Sequence, residues 1–181
     1  MLFLVVGPSG AGKDTLLALC RAALDGDPGY RFARRVITRP ADTGDEGHES
    51  VDPAEFERRR EAGCFALWWE AHGLSYAIPN DIEDDLRSGR DVVASVSRVV
   101  LKHAVATCSA QILEVSAPLA ILAARLAARG REDAADIARR LAREVPLDPD
   151  LPVTRIQNDG TPEQGATRML VALRRHRVAS L

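Results

Sequence analysis

The stretch Gly7-Pro8-Ser9-Gly10-Ala11-Gly12-Lys13 decides the fold of this chain. Before it runs Leu2 to Val6, five apolar residues ended by Gly-Pro, which predicts a strand buried on both faces. After it, Leu16, Leu17, Leu19, Cys20 and Leu24 recur at helical spacing, so the local order is strand, glycine loop, helix. Gly, four residues, then Gly-Lys in that setting has the spacing of a Walker A loop, which binds phosphate. Glycines let the backbone curl until successive N–H groups point at one anion, and the helix N-terminus adds partial positive charge. Lys13 then supplies the point charge for β- and γ-phosphates. The candidate nucleotide-binding residues are Gly7, Pro8, Ser9, Gly10, Ala11, Gly12, Lys13, Asp14 and Thr15.

The bland rival, a glycine turn with an incidental lysine, is weakened by composition. Of 24 basic residues only Lys13 and Lys102 are lysines, so a lysine inside a glycine loop calls for an explanation. Asp14 stands where Ser or Thr ordinarily ligates Mg²⁺, and two readings stay open there. It is a ligand of magnesium or of a magnesium-bound water, or an acidic residue favoured in a first turn by the helix dipole.

Outward from the loop, strands and helices alternate: Asp91 to Val96, a helix from Arg98 to Thr107, Gln111 to Val115, a helix opened by Ser116-Ala117-Pro118, and a last strand Val153 to Gln157. Asn158-Asp159-Gly160 then turns into a helix started by Thr161-Pro162-Glu163. Such alternation predicts an α/β fold with a parallel sheet covered on both faces. Between about 37 and 90 the rhythm changes. A polar loop from Arg39 to Glu49 leads to Asp52-Pro53-Ala54-Glu55, a helix start, and Phe65 to Glu70 turns back at Gly73 as a hairpin. This segment reads as an insertion with its own small sheet.

With 181 residues, one domain is expected. Hydrophobic residues make up 46% and charged residues 28%, the balance of a globular chain rather than a disordered or fibrous one. The opening apolar run has no basic leader and falls far short of the ~18 residues of a membrane span, so neither targeting nor membrane insertion is expected. Net charge is −2, which gives no global positive field for nucleic acid. Cys20, Cys64 and Cys108 are odd in number and widely spaced, predicting reduced thiols and a cytoplasmic protein.

The phosphate loop, Ile37-Thr38-Arg39-Pro40 followed by Gly44, the segment Phe65 to Pro79 and the stretch Arg125-Leu126 to Arg129-Gly130 together resemble the guanylate-kinase fold over nearly the whole chain. Gly-Lys-Asp in the loop and His48 look most like the ribose 1,5-bisphosphate phosphokinases of bacterial phosphonate catabolism. That resemblance implies a P-loop kinase three-layer fold with a five-stranded parallel sheet. It implies a core of about 1–36 and 91–181, an acceptor-binding insertion at about 37–90 and a mobile lid at about 129–143. It implies ATP and Mg²⁺ as cofactors. The implied reaction is in-line phosphorylation of the 1-phosphate of ribose 1,5-bisphosphate, giving 5-phosphoribosyl diphosphate (PRPP). Two alternatives remain: a nucleoside monophosphate kinase with altered base choice, and a non-catalytic guanylate-kinase-like binding module.

Departures from guanylate kinases carry the choice of acceptor. The first phosphate-holding arginine is kept as Arg39 and one tyrosine as Tyr76, while a second arginine is replaced by Asp42 and the loop tyrosine by His48. The base-reading glutamate is replaced by Leu67 and a hydroxyl residue by Ile78. Loss of buried hydrogen-bond partners for guanine argues against GMP. A phosphate acceptor is already anionic near neutral pH, so alignment and charge neutralisation suffice and no general base is needed.

Arg35, Arg39, His48 and Tyr76 are therefore candidate substrate-binding residues, with a surface ion pair the rival reading for Arg35 and simple exposure for His48. Lys13, Arg129 and Arg140 are the candidate catalytic residues, the arginines as lid charges on the transferred phosphoryl group. Arg125 and Arg131 frame the same lid, and Arg125 can instead pack its stem on a neighbouring helix. Asn158 is expected near the adenine ring, or in a turn. Trp68 and Trp69, being adjacent on a strand, face opposite sides, one of them toward the core.

Overall fold

A computed structural model describes residues 1–39, 47–128 and 147–178. Its main sheet has five strands, all parallel, in the order β2-β7-β1-β8-β9, and a second sheet has four, in the order β4-β3-β6-β5. The strands are β1 (Leu2–Val6), β2 (Tyr30–Phe32), β3 (Arg35–Ile37), β4 (His48–Ser50), β5 (Phe65–Ala71), β6 (Leu74–Pro79), β7 (Asp91–Ser95), β8 (Ala110–Ser116) and β9 (Val153–Gln157). The helices are α1 (Lys13–Ala23), α2 (Pro53–Glu61), α3 (Ile82–Arg87), α4 (Leu101–Thr107), α5 (Leu119–Ala128) and α6 (Pro162–Val178), with a 3₁₀ turn at Arg98–Val100. The chain divides into two compact units, Met1–Leu4 with Asp27–Gln111, and Val5–Gly26 with Ile112–Leu181.

The second unit holds the glycine loop. All five residues of β1 are buried, as a continuous apolar run demands, and β8 pairs with β9 in parallel register from Ile112↔Val153 to Ser116↔Gln157. Glu114 and Arg155 lie opposite each other in that ladder and close an ion pair of 3.0 Å. Helix α1 packs against α6, where the buried Cys20 thiol reaches the Ala166 carbonyl at 3.6 Å. Burial pushes that thiol up to about 11, so it is a small core side chain rather than a nucleophile.

In the first unit the small sheet is built around a hairpin. His72 (φ 54) and Gly73 (φ 73) both adopt left-handed backbone, and the two-residue loop between Ala71 and Leu74 matches the twist of the strands it joins. Strand β6 pairs antiparallel with β3 and β5, while β3 and β4 run parallel. Thr38 and Ser75 lock the end of the β3–β6 pair: Thr38 N–H donates to the Ser75 carbonyl at 3.0 Å, and Ser75 N–H donates to Thr38 Oγ1 at 2.8 Å.

Helix α2 starts where Asp52 and Pro53 predict, with the Asp52 carboxylate accepting from Glu55 N–H at 2.8 Å. Phe56 sets its apolar side into a cluster with Val36 and Ala77, flanked by Val51 and Phe65. Arg59 ties Glu55 of the same helix to Glu49 of β4. Elsewhere in this unit the buried Asp85 of α3 receives Arg31 of β2 and Arg90. Burial alone would raise its pKa, but the two guanidiniums outweigh it and hold the carboxyl below the usual range.

Two boundaries differ from expectation. The polar loop expected to run to Glu49 gives way to strand at His48, because His48-Glu49-Ser50 is recruited as an edge strand by its partner β3. The helix expected from Arg98 opens as a tighter 3₁₀ turn before continuing as α4.

Candidate functional site: a phosphate loop and a small-sheet face

The glycine loop owes its shape to close approach. Gly7 has φ 149, and a Cβ there would overlap the carbonyl oxygen of Val115 on β8, so only glycine lets the loop leave β1 this near the next strand. Gly12 caps α1 in left-handed conformation, φ 88 and ψ 19, and no side chain caps the helix. With no capping side chain, the first turn of α1 offers the features that suit an anion, N–H groups and the positive end of a dipole. The Lys13 ammonium donates to the carbonyls of Gly7, at 2.7 Å, and Pro8, at 3.1 Å, which holds it against the loop.

Arg125 of α5 reaches the same place. Its Nη1 would lie 3.9 Å from a Cβ on Gly12, and it is buried without a hydrogen-bond partner among the described residues. An orphaned guanidinium N–H beside an uncapped helix start fits an anionic group, because a buried cationic donor left unpaired is costly. The sequence leaves Arg125 between two readings, a residue framing the lid and a stem packed on a neighbouring helix. The signal was there: it sits beside Leu126, and Leu122 and Leu126 mark the buried stripe of α5.

Asn158 was expected beside adenine or in a turn. Its backbone N–H donates to the Ser116 carbonyl at 2.7 Å, one step beyond the β8–β9 ladder, and its side chain is 3% exposed. Its Nδ2 donates to the Ala11 carbonyl at 2.7 Å, so the side chain meets the phosphate loop. Asp159 is exposed and paired with Arg168 at 2.8 Å. Asp14 and Thr15 are exposed in the first turn of α1. Among the described residues no three His, Cys, Asp or Glu side chains gather as a metal cluster. A lone carboxylate is nonetheless the donor set magnesium takes when phosphates and water supply the rest.

In the first unit, register decides which side chains share a face. Arg35 stands opposite His48, and Val36 opposite Glu49. Tyr76 stands opposite both Ile37 and Trp69. Because side chains alternate, Val36, Glu49, Ala77 and Trp68 lie on the α2 side, where Arg59 meets Glu49 and Arg60 lies 4.8 Å over the Trp68 ring. Arg35, His48, Ile37, Tyr76 and Trp69 lie on the other face.

The structure thus brings three of the four expected acceptor residues, Arg35, His48 and Tyr76, onto one side of one sheet. His48 is buried in β4 rather than exposed on a loop, and Arg34 donates to its carbonyl at 2.8 Å. Tyr76 stacks on Trp69 with ring centroids 5.5 Å apart and planes 5° from parallel. Trp69 is buried and Trp68 is 44% exposed, the division expected of neighbours on a strand. Arg39 is exposed, two residues beyond the end of β3. Leu67 and Ile78 face each other across β5 and β6 and are buried. The expected lid at 129–143, with Arg129, Arg131 and Arg140, and the loop residue Asp42 lie outside the described residues.

No family model matches the chain. Among curated proteins, the ribose 1,5-bisphosphate phosphokinase PhnN of Methylobacterium radiotolerans is 47% identical over 174 residues, 96% of this chain and 97% of that protein. The protein of the same name from Acidiphilium cryptum is 50% identical over 177 residues, 97% of this chain and 93% of that one. A bifunctional ribose 1,5-bisphosphokinase-thymidine phosphorylase from Cupriavidus necator is 48% identical over 95% of this chain. This chain spans 29% of the length of that protein, and 25% of a second bifunctional relative. Among solved structures, guanylate kinase from Anaplasma phagocytophilum matches with a TM-score of 0.69 at 20% identity, covering 97% of this chain and 85% of that one. A gluconokinase from Sinorhizobium meliloti matches at 0.53 and 19% identity, covering 96% and 91%. Carrying a P-loop kinase fold and near-half identity along almost the full length of single-function relatives, the chain belongs to the ribose 1,5-bisphosphate phosphokinase family.

Proposed function

We propose that the chain transfers the γ-phosphoryl group of ATP to the 1-phosphate of ribose 1,5-bisphosphate, forming PRPP and ADP. The observation that carries the choice of acceptor is the pairing of Leu67 with Ile78 inside the small sheet. Two buried apolar side chains offer a purine edge no hydrogen bonds, whereas Arg35, Arg39, His48 and Tyr76 supply donors for phosphate and ribose hydroxyls. Family membership supports the same reading.

The residues divide the work by charge. The P-loop backbone and the α1 N-terminus bind the polyphosphate, Lys13 exchanges its carbonyl partners for phosphate oxygens, and Arg125 lends a buried donor. Asp14 is the residue that would hold Mg²⁺, which when bound supplies neutralisation of phosphate charge. Arg35 and Arg39 grip the acceptor phosphates bidentately. Arg129 and Arg140 act as lid charges on the phosphoryl group in flight. The acceptor oxygen is already anionic, so no side chain has to remove a proton. The protein acts on small molecules in the cytoplasm and binds neither nucleic acid nor membrane.

An acceptor screen with ATP and magnesium tests this, with ribose 1,5-bisphosphate, GMP and ribose 5-phosphate offered in parallel. PRPP formation with the first and weak or no turnover with GMP is expected. Efficient GMP phosphorylation without PRPP formation restores the nucleoside monophosphate kinase, and no transfer to any acceptor favours the binding module.

A further inference from the structure

We propose that Asn158 is a positioning residue for the donor site, setting the direction of the Gly12 N–H through the carbonyl of Ala11. The inference deepens the reading of the loop as the ATP site and rests on it.

Carbonyl and N–H of a trans peptide point in opposite directions. The Ala11–Gly12 peptide is trans, and its carbonyl oxygen accepts from Asn158 Nδ2 at 2.7 Å. The Gly12 N–H of the same peptide therefore points away from Asn158. Asn158 itself is anchored at the end of β9 by its backbone bond to Ser116, so the amide is held from the sheet while it holds the loop. Without that bond, the left-handed Gly12 is free to rotate its peptide, since glycine adopts many backbone conformations at little steric cost.

Two glycines make room for the amide. A Cβ on Gly12 would fall 2.6 Å from Asn158 Nδ2, and a Cβ on Gly165 of α6 would fall 2.5 Å from Asn158 Oδ1 and 2.8 Å from Leu16 Cδ2. The side chain thus sits in a slot between the helix-capping glycine and a glycine of α6. Its Oδ1 is buried with no partner among the described residues. An amide that leaves its acceptor unsatisfied is retained for its donor, and that donor is spent on Ala11. An isosteric carboxylate in the slot has no N–H to give and sets its negative oxygen against the negative end of the carbonyl dipole.

The test is ATP binding by titration calorimetry without acceptor, joined to separate KM values for ATP and acceptor. Asn158→Asp and Gly165→Ala, the second of which crowds the amide out of its slot, are each expected to weaken ATP binding about tenfold or more. The ATP KM should rise in step, while the acceptor KM at saturating ATP stays within about twofold. A merely structural role would lower kcat through a smaller active fraction and leave the ATP KM unchanged, and that result overturns the proposal, as does unchanged ATP affinity in the folded variants. In the wild-type protein the Asn158 side-chain amide should exchange its protons slowly with water by NMR. Fast exchange there also overturns the proposal, whether or not the variants fold. Wild-type protein that fails to bind ATP at all refutes the donor-site reading itself, a result distinct from wild-type binding that the variants retain.

Discussion

In the phosphate loop the space of the missing Gly7 side chain is filled by the Val115 carbonyl, whereas Gly73, at the hairpin tip of the small sheet, has nothing within 4 Å. Both residues have positive φ, 149 and 73, so the contrast lies in crowding rather than in backbone strain alone. In the proposed reading, one region recognises its ligand with main-chain groups packed against neighbouring strands and helices. The other presents side chains, Arg35, His48 and Tyr76, from a sheet whose backbone is occupied with its own ladder. A main-chain site is hard to alter without loss of fold. A side-chain face can exchange one donor for another on the same strands, so differences in acceptor choice among guanylate-kinase-like folds are expected to collect there.

The sharpest way to break this comparison is Lys13→Ala. Lys13 touches the loop through carbonyls and not through the core, so kcat should fall by about 10²–10³ with the melting temperature almost unchanged. Near-normal turnover would end the assignment of the loop. Next comes Gly7→Ala, which meets a carbonyl oxygen and should destabilise by more than about 2 kcal/mol in denaturant titrations. Gly73→Ala, with the same sign of φ but open space, should cost about 1 kcal/mol. Equal losses at the two sites would show that crowding is not what separates the regions.

On the small sheet, Arg39→Ala should raise the acceptor KM by about 10- to 100-fold, the value of a charge-assisted phosphate contact, with ATP KM unchanged. Arg34→Ala, whose guanidinium donates to the His48 carbonyl and not to a side chain of the acceptor face, should be nearly silent in steady-state kinetics. A parallel rise in ATP KM for Arg39→Ala would blur the division between donor and acceptor regions.

The smallest effect concerns acid. Glu55 hydrogen-bonds to Arg58 and Arg59, which pull its pKa from 4.5 to about 2. A carboxyl depressed by folding stabilises fully above its unfolded value and loses that contribution as pH falls from about 4.5 through 2. The group is only partly buried, so the effect is small and screened by salt. Melting curves between pH 5 and 2 should show Glu55→Gln losing less stability than the wild type over that window. Identical slopes would mean that the α2 ion pairs contribute nothing.

Much of this was legible along the chain, and the exceptions share a cause. The loop, the Asp52-Pro53 helix start and the turn at Gly73 each depend on chemistry within a few residues, so spacing alone exposes them. Strand β4 escaped because three polar residues become a strand only when β3 offers an edge. The short elements β2 and α3, three and six residues long, carry too little pattern to announce themselves. The place of Asn158 after the last strand marks it in the sequence, yet its partner Ala11 is 147 residues away and no local rule joins them. His48 looked like a loop residue until its register opposite Arg35 placed it on a sheet.

The reciprocal bonds between Thr38 and Ser75 have a consequence for how this protein can change. Side chains on a strand alternate with a period of two, so a slip of β3 against β6 by one residue would turn Arg35 inward and present Val36 instead. The Thr38–Ser75 clasp works as a registration pin against that slip. Point substitutions leave the pin in place and retune a single contact. A one-residue insertion or deletion within β3 or β6 inverts the face at a stroke, so the lineage of this sheet should record replacements freely and length changes in these two strands almost never.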